Sequence, residues 1–196
     1  MTIRAYGKMA QRAVGVGLLL GGALTVSAQH RLTVQTNYYA VTGETAREVR
    51  QSLNTARPGG RAARTDALTT WTIRWQSRGN PGSDGWRLSQ FSTDTAITIT
   101  LPLWRMPTNA PTELRAAWGN YSRALVRHEL GHADFGRQAA AAVQHKVAAL
   151  GPEPSADALR QRVRQTVDAV IADYRQRELE YDLRTDHGRK EGATFP

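Results

Sequence analysis

The sequence predicts an α+β fold in which a small, mainly antiparallel sheet from the N-terminal half packs beside a long helix and an antiparallel C-terminal helix. In the first half, short segments alternate apolar and polar residues, as Ile97, Ile99 and Leu101 do, and turn residues separate these segments. In the second half, apolar residues recur at helical spacing over two long stretches divided by Gly151-Pro152. Strands followed by helices are typical of the α+β class.

Four strands and one short helix are predicted in the first half. The strands cover residues 32–41, 67–77, 86–91 and 96–101, where β-branched and aromatic side chains are frequent. A helix is expected at about 44–53, because Thr45 and Glu48 have the spacing of a capping box. The glycine-rich residues 79–85 are expected to form a hairpin connection, and Pro102 to end the last strand.

The second half is predicted to form two helices. The first begins at Pro111 and ends near Leu150, and its apolar face is formed by Leu114, Trp118, Tyr121 and Leu125. Ser155 is a good N-cap for the second helix, which is expected to end near Asp182 and to be followed by an irregular tail. The short connection favours antiparallel packing of the two helices.

The first 28 residues have the pattern of a secretory signal peptide. A basic segment at 4–12 precedes an apolar stretch at 13–26, and Ala28 ends a small-residue pattern suited to signal peptidase. We therefore expect residues 29–196 to form a single domain, periplasmic or extracellular, with no membrane span after cleavage; a retained N-terminal anchor is the alternative. The net charge of +9 comes from scattered Lys and Arg, so a nucleic-acid partner is not expected.

The run His128-Glu129-Leu130-Gly131-His132 predicts a zinc centre on the first long helix. Two histidines four residues apart lie on one helix face, about one turn from each other, and can therefore share a metal ion. Glu129 is rotated by roughly 100° from His128, so its carboxylate can reach a water on the metal without entering the coordination sphere. Gly131 is unfavourable inside a helix, and we expect a side chain there to crowd a neighbouring element or the metal face.

A catalytic zinc usually has three protein ligands, and the third must come from elsewhere in the chain. Gln138 stands where a longer version of the motif has histidine, and His145 is expected on another face of the helix. His187, in the tail, is the remaining downstream histidine. The alternative is Glu178 on the second helix, with Asp182 four residues later orienting a motif histidine.

Several segments together resemble one protein family. They are 37–43, 50–54, 70–71, 101–104, the motif at 128–132, the tail block 181–188 (Tyr-Asp-Leu-Arg-Thr-Asp-His-Gly) and 192–193. In this order they look like the DUF922 family of predicted secreted zinc-dependent proteases, and the resemblance covers nearly the whole mature chain. It implies a zincin-like fold and places the tail block in the site, which favours His187 over Glu178.

The same resemblance implies roles for two residues of the tail block. Asp182 is expected to accept a hydrogen bond from the distal nitrogen of a ligand histidine. Tyr181 is expected to donate a hydrogen bond to the oxyanion of a tetrahedral intermediate.

The sequence therefore predicts an exported zinc metallopeptidase, an endopeptidase acting on protein or peptide substrates of the cell envelope or outside it. Zn²⁺ is the expected cofactor, with Glu129 as the general base. The alternative is a non-catalytic envelope protein with a structural or vestigial zinc site that binds a partner through its sheet edge. A structural site does not need Glu129, and its presence favours the enzyme. The strand at 96–101 is the expected edge for an extended substrate.

Overall fold

The computed structural model describes residues 27–196. Along this part of the chain the elements are β1 (Ser27–Val41), α1 (Ala46–Ala56), β2 (Leu68–Gly82), β3 (Gly85–Trp104), α2 (Thr112–Ala148) and α3 (Ala156–Thr185), with short 3₁₀ turns at Gly60–Ala62 and Arg189–Glu191. The basic and apolar segments that predict a signal peptide lie outside the described residues, so export stays a prediction.

The fold is α+β, as predicted, but its sheet is mixed. The strand order is β1-β3-β2, in which β2 pairs with β3 antiparallel and β1 pairs with β3 parallel. The two strands expected at 86–91 and 96–101 form one continuous strand, since no Gly or Pro separates them. Strand β3 also continues past Pro102 to Trp104. It can do so because β2 begins opposite Thr100, so β3 has only one neighbouring strand at Pro102.

The prediction that residues 96–101 form an exposed edge is wrong. This segment is the centre of the sheet, where Ala96 pairs with Thr33 of β1 and with Thr72 of β2. Its backbone N–H and C=O groups therefore form hydrogen bonds with a neighbouring strand on each side, and the edge strands of the sheet are β1 and β2.

Helix α1 begins with the predicted capping box. Thr45 Oγ1 accepts a hydrogen bond from the Glu48 backbone N–H, and Glu48 Oε2 accepts one from the Thr45 N–H. Val49 and Leu53 on its inner face are fully buried. The helix thus covers one end of the sheet with the side chains that the sequence pattern places there.

Helices α2 and α3 form an antiparallel hairpin that packs against the sheet. Most of the apolar face of α2 lies in one core cluster with Trp71 and Ile97 of the sheet. Further along the hairpin, Val143 of α2 and Val163 of α3 are fully buried in a second cluster. Helix α3 ends at Thr185, three residues beyond its expected end. This packing brings the far end of α3 beside the His-Glu motif of α2.

Among residues 27–196, no helix combines the length and the apolar character that crossing a lipid bilayer requires.

Candidate metal centre

Helix α2 presents His128 and His132 on its buried face. Their relative exposures are 2% and 9%, and their Nε2 atoms lie 3.3 Å apart. The spacing of four residues, about one helical turn, brings the two rings together at a ring-centroid distance of 4.9 Å. The two nitrogens therefore point at the same small volume.

Asp182 of α3 completes a group of three possible metal ligands. Its Oδ1 lies 3.1 Å from His128 Nε2 and 3.0 Å from His132 Nε2, and the three ligand atoms lie within 4.8 Å of one another. Burial alone would raise the pKa of Asp182, but its hydrogen bonds with His128 and His132 hold that pKa well below its usual range. Two imidazoles and an ionised carboxylate are a suitable donor set for a divalent metal ion.

Each histidine has a second carboxylate behind it. Glu191 Oε2 lies 3.3 Å from His128 Nδ1, and Glu178 Oε1 lies 3.4 Å from His132 Nδ1. Carboxylates in this position fix the orientation of a metal-binding imidazole and raise its basicity. Burial lowers the pKa of His132, but hydrogen bonds to Asp182 and Glu178 outweigh burial and raise it to about 9.

Glu178 and Asp182 therefore occupy each other's expected positions. The sequence alternative has Glu178 on the metal and Asp182 behind a histidine, whereas Asp182 lies with the Nε2 atoms and Glu178 contacts the opposite ring nitrogen of His132. Glu178 is held in place by Arg175, whose Nη1 donates to Glu178 Oε2 over 2.8 Å. The Arg175 guanidinium in turn stacks over the Trp71 ring at 3.7 Å.

His187 lies beside this group rather than within it. Its Nδ1 is 3.4 Å from the outer oxygen of Asp182, Oδ2, and it makes no hydrogen bond to any described residue although the atom is buried. The backbone of His187 is left-handed, with φ of 52°, and its side chain is 38% exposed. A buried polar atom without a partner, next to a possible metal ligand, suits a site that takes up a further group.

Glu129 faces the same cavity as the three possible ligands. It is buried, and Thr69 of β2 donates a hydrogen bond from Oγ1 to Glu129 Oε2 over 2.6 Å. Burial raises the pKa of Glu129, and the Thr69 hydrogen bond partly opposes this effect. Glu129 is therefore a fixed carboxylate in the same cavity as the three possible metal ligands, with an affinity for protons above that of an ordinary glutamate.

Tyr181 contacts the back of the site. Its ring stacks on the His128 ring at a centroid distance of 4.9 Å, and its hydroxyl lies 3.4 Å from the His128 carbonyl and 3.5 Å from Glu191 Oε2. Burial raises its pKa to about 12. A Cβ at Gly131 would lie 2.7 Å from the Tyr181 hydroxyl oxygen, so a glycine is needed there for this packing. The neighbouring element that a side chain at Gly131 would crowd is therefore the Tyr181 ring on α3.

The tail after α3 folds back over His128. Gly188 has φ of 80°, and a Cβ on it would lie 2.9 Å from His128 Cγ. Glu191 follows in the next turn and reaches the same ring. Neither Glu191 nor Thr69 is predictable from the sequence, because an isolated glutamate and a strand threonine carry no local signal of their partner.

The cavity in front of these groups has a volume of about 540 Å³, within the range of about 300–1,000 Å³ usual for ligand sites. Its walls come from α1, from the loop before β2 and the first residues of β2, from α2 and α3, and from the C-terminal tail. It is thus a cleft that can take a ligand larger than a metal ion.

Residues 36–188, more than three quarters of the chain, match a family model described as "Bacterial protein of unknown function (DUF922)". No curated protein matches the chain, and no solved structure does. The match contains the His-Glu motif and the tail up to Gly188, and therefore includes His128, Glu129, His132 and Asp182.

Proposed function

The chain belongs to the DUF922 family, and we propose that it is a zinc-dependent metallopeptidase of zincin-like type. The observation that carries this proposal is the buried group of His128, His132 and Asp182 with Glu129 beside it in one open cavity. Two imidazoles and a carboxylate are a ligand set of known catalytic zinc sites, in which a fourth position stays free for water or substrate.

We assign the zinc ligands to His128, His132 and Asp182, because their donor atoms already converge. His187 is the ligand that the tail resemblance favours, but its Nδ1 lies 3.4 Å from Asp182 Oδ2, beside the three converging donor atoms. A zinc ion in this site would polarise a carbonyl group and increase the acidity of water. Zinc fits the nitrogen and oxygen donors of this group.

Glu129 has the position and the basicity of a general base. Its raised pKa lets it accept a proton from the attacking water and pass that proton to the leaving amine of the scissile peptide. Thr69 holds one carboxylate oxygen, which leaves the other free for this transfer. We assign Tyr181 to positioning His128 by stacking rather than to the oxyanion, because its hydroxyl points to the His128 carbonyl.

The decisive experiment compares metal content with hydrolysis. The purified protein should contain about one equivalent of zinc and hydrolyse casein in a chelator-sensitive manner. Glu129→Gln should keep the zinc and lose hydrolysis, whereas Asp182→Ala should lose zinc affinity. Glu113→Gln, an exposed position on the same helix, is the matched control and should behave as wild type. Hydrolysis at the wild-type rate in Glu129→Gln would refute the mechanism.

The second candidate function is a non-catalytic envelope protein with a structural metal site. The edge strand β1 favours it, since Leu32, Val34 and Tyr38 on this strand are 39%, 43% and 60% exposed and could contact a partner. One equivalent of tightly bound zinc without chelator-sensitive hydrolysis of proteins or cell-wall peptides would favour this candidate.

We also propose that the protein acts outside the cytoplasm, in the periplasm or beyond. This part of the proposal rests on the sequence pattern of residues 1–28 alone. N-terminal sequencing of the protein recovered from its native host should begin at Gln29. A mature protein that still begins at Met1 in the cytoplasm would contradict it.

A further inference from the structure

The cavity in front of the metal centre is rich in arginine. Five arginines line it, namely Arg50, Arg57, Arg64, Arg175 and Arg189, against the four carboxylates of Asp66, Glu129, Glu178 and Asp182. Arginine is the side chain best suited to bind a carboxylate, since its planar guanidinium donates two parallel hydrogen bonds. The arginines must therefore be divided into those that hold the fold and those that remain for a ligand.

Three of the five are engaged within the protein. Arg50 and Arg57 both bind Asp66, over 2.8 Å and 3.2 Å, and their side chains are only 26% and 13% exposed. Asp66 also accepts a hydrogen bond from Tyr121 over 2.8 Å. Arg175 binds Glu178, which orients a metal-site histidine. These three arginines neutralise buried carboxylates and fix the cavity walls.

Arg64 and Arg189 remain. Arg64 is exposed, makes no ion pair with any described residue, and lies in the loop that Asp66 anchors, shortly before Thr69. Arg189 follows the Gly188 turn, and its contact to Asp186 is 3.8 Å long between two side chains that are each about half exposed. Such a contact contributes little to stability, so the Arg189 guanidinium is available to a ligand.

The two available arginines line the same cavity as the reactive groups but come from different segments of the chain. Arg64 belongs to the segment leading to Thr69, which hydrogen-bonds to Glu129, and Arg189 to the segment following His187. A bound divalent ion adds positive charge to the same cavity. An anionic group on the substrate therefore gains attraction from the two arginines and from the ion.

We propose that this cavity selects peptides that carry a carboxylate close to the bond to be cleaved, bound by Arg64 and Arg189. The proposal rests on the peptidase function and names its substrate class. The carboxylate can belong to an acidic side chain or to a free C-terminus, and both present the same two oxygens to a guanidinium. The two sources are separated by the choice of peptide.

The test measures binding rather than turnover, with the zinc-loaded Glu129→Gln variant and fluorescein-labelled pentapeptides followed by anisotropy. One pair is blocked at the C-terminus and differs only by a central Glu or Gln. The other pair has Gln at the centre and ends in a free carboxylate or in an amide. We expect three- to tenfold tighter binding of the carboxylate member in at least one pair. The pair that responds identifies the source.

Arg64→Gln and Arg189→Gln, each introduced into the Glu129→Gln protein, should weaken binding of the preferred peptide by a similar factor and leave its neutral partner unchanged. Arg164→Gln is the control, because Arg164 is an exposed arginine of α3 outside the cavity. Equal binding within both pairs, or equal losses in Arg164→Gln and the two cavity variants, would overturn the proposal.

The zinc-free protein separates the arginines from the metal. The assignment is supported if the preference for the carboxylate peptide persists without zinc and disappears in Arg64→Gln or Arg189→Gln. It is overturned if the preference requires zinc and is unchanged in both arginine variants. If the peptidase function is wrong, the wild-type protein shows no chelator-sensitive hydrolysis. The binding preference is measured independently of hydrolysis, so the two failures can be distinguished.

Discussion

Two glycines inside helix α2 provide a direct test of how the metal centre is packed. Gly119 and Gly131 both lie in the interior of this helix, where glycine costs about 1 kcal/mol relative to alanine. A Cβ on Gly119 would contact only the end of the flexible Arg123 side chain, at 3.3 Å. A Cβ on Gly131 would lie 2.7 Å from the Tyr181 hydroxyl oxygen and 2.8 Å from its Cζ.

The two alanine substitutions should therefore have opposite effects on stability. Gly119→Ala should gain up to about 1 kcal/mol in the free energy of unfolding, because Arg123 can move aside. Gly131→Ala gains the same helix propensity but meets an overpacking cost of about 1–3 kcal/mol. The Tyr181 ring cannot yield freely, since it stacks on His128 and contacts the Phe135 ring edge-on at 5.7 Å. Gly131→Ala should therefore be destabilised by up to about 2 kcal/mol.

Urea unfolding of the metal-free variants measures this difference directly. For a domain of this size, 1 kcal/mol corresponds to a change of about 2–4 °C in melting temperature, so thermal unfolding provides a second readout. Gly131→Ala should also weaken zinc binding, because a displaced Tyr181 displaces His128, whereas Gly119→Ala should leave zinc affinity unchanged.

A double substitution assigns the effect to Tyr181. In a Tyr181→Ala background, Gly131→Ala should no longer destabilise the protein, and the coupling energy should be about 1–3 kcal/mol. The reasoning is refuted if Gly131→Ala stabilises the protein as much as Gly119→Ala does, or if its cost persists without the tyrosine ring.

Three further predictions concern the groups around the site. The pKa of His132 is raised from 6.5 to about 9, so protonated His132 stabilises the metal-free protein fully below pH 6.5, and this stabilisation is lost as pH rises through 9. Urea unfolding across this range should show the loss of stability, and saturating zinc should abolish this pH dependence. Asp66→Asn should lower the free energy of unfolding by about 2–4 kcal/mol, because Arg50, Arg57 and the Tyr121 hydroxyl lose their anionic partner. A loss below about 0.5 kcal/mol, the size expected of an exposed ion pair, would contradict this prediction. Thr69→Val should move the acidic limb of the pH–rate profile of peptide hydrolysis to higher pH, since the Thr69 hydrogen bond lowers the pKa of Glu129; Thr69→Ser is the control and should keep the wild-type limb.

Local signals in the sequence were sufficient for most of the helices. The capping box of α1 and the Ser155 N-cap of α3 are formed by neighbouring residues, and both are present in the structure. The strand pairing was less predictable, because it depends on which segments meet in space. Residues 92–95 are polar and fall between the two predicted strands, yet β1 and β2 both pair with them as part of β3. Thr93 and Thr95 are buried, and Gln144 of α2 donates a hydrogen bond to Thr93 Oγ1.

The same distinction explains why two members of the possible metal-binding group could be predicted from the sequence, whereas the place of Asp182 in it could not. His128 and His132 share one helix, and so their spacing alone brings their nitrogens together. Glu178 and Asp182 also lie one turn apart on one face of α3, and either can reach the histidines. Which of them meets the Nε2 atoms depends on how far α3 slides along α2, since a shift of about 5.4 Å, one helical turn, would bring Glu178 to the level that Asp182 occupies.

That sliding is limited by packing contacts within the motif and beside it. Gly131 admits the Tyr181 ring, and this contact fixes α3 at the level where the next residue, Asp182, lies between the two histidines. One turn earlier on α3, Arg175 stacks on Trp71 and binds Glu178, which keeps the Glu178 carboxylate beside Nδ1 of His132. The roles of the two carboxylates are therefore decided by a glycine on one helix and a tyrosine on the other, a pairing that no spacing within either helix reveals.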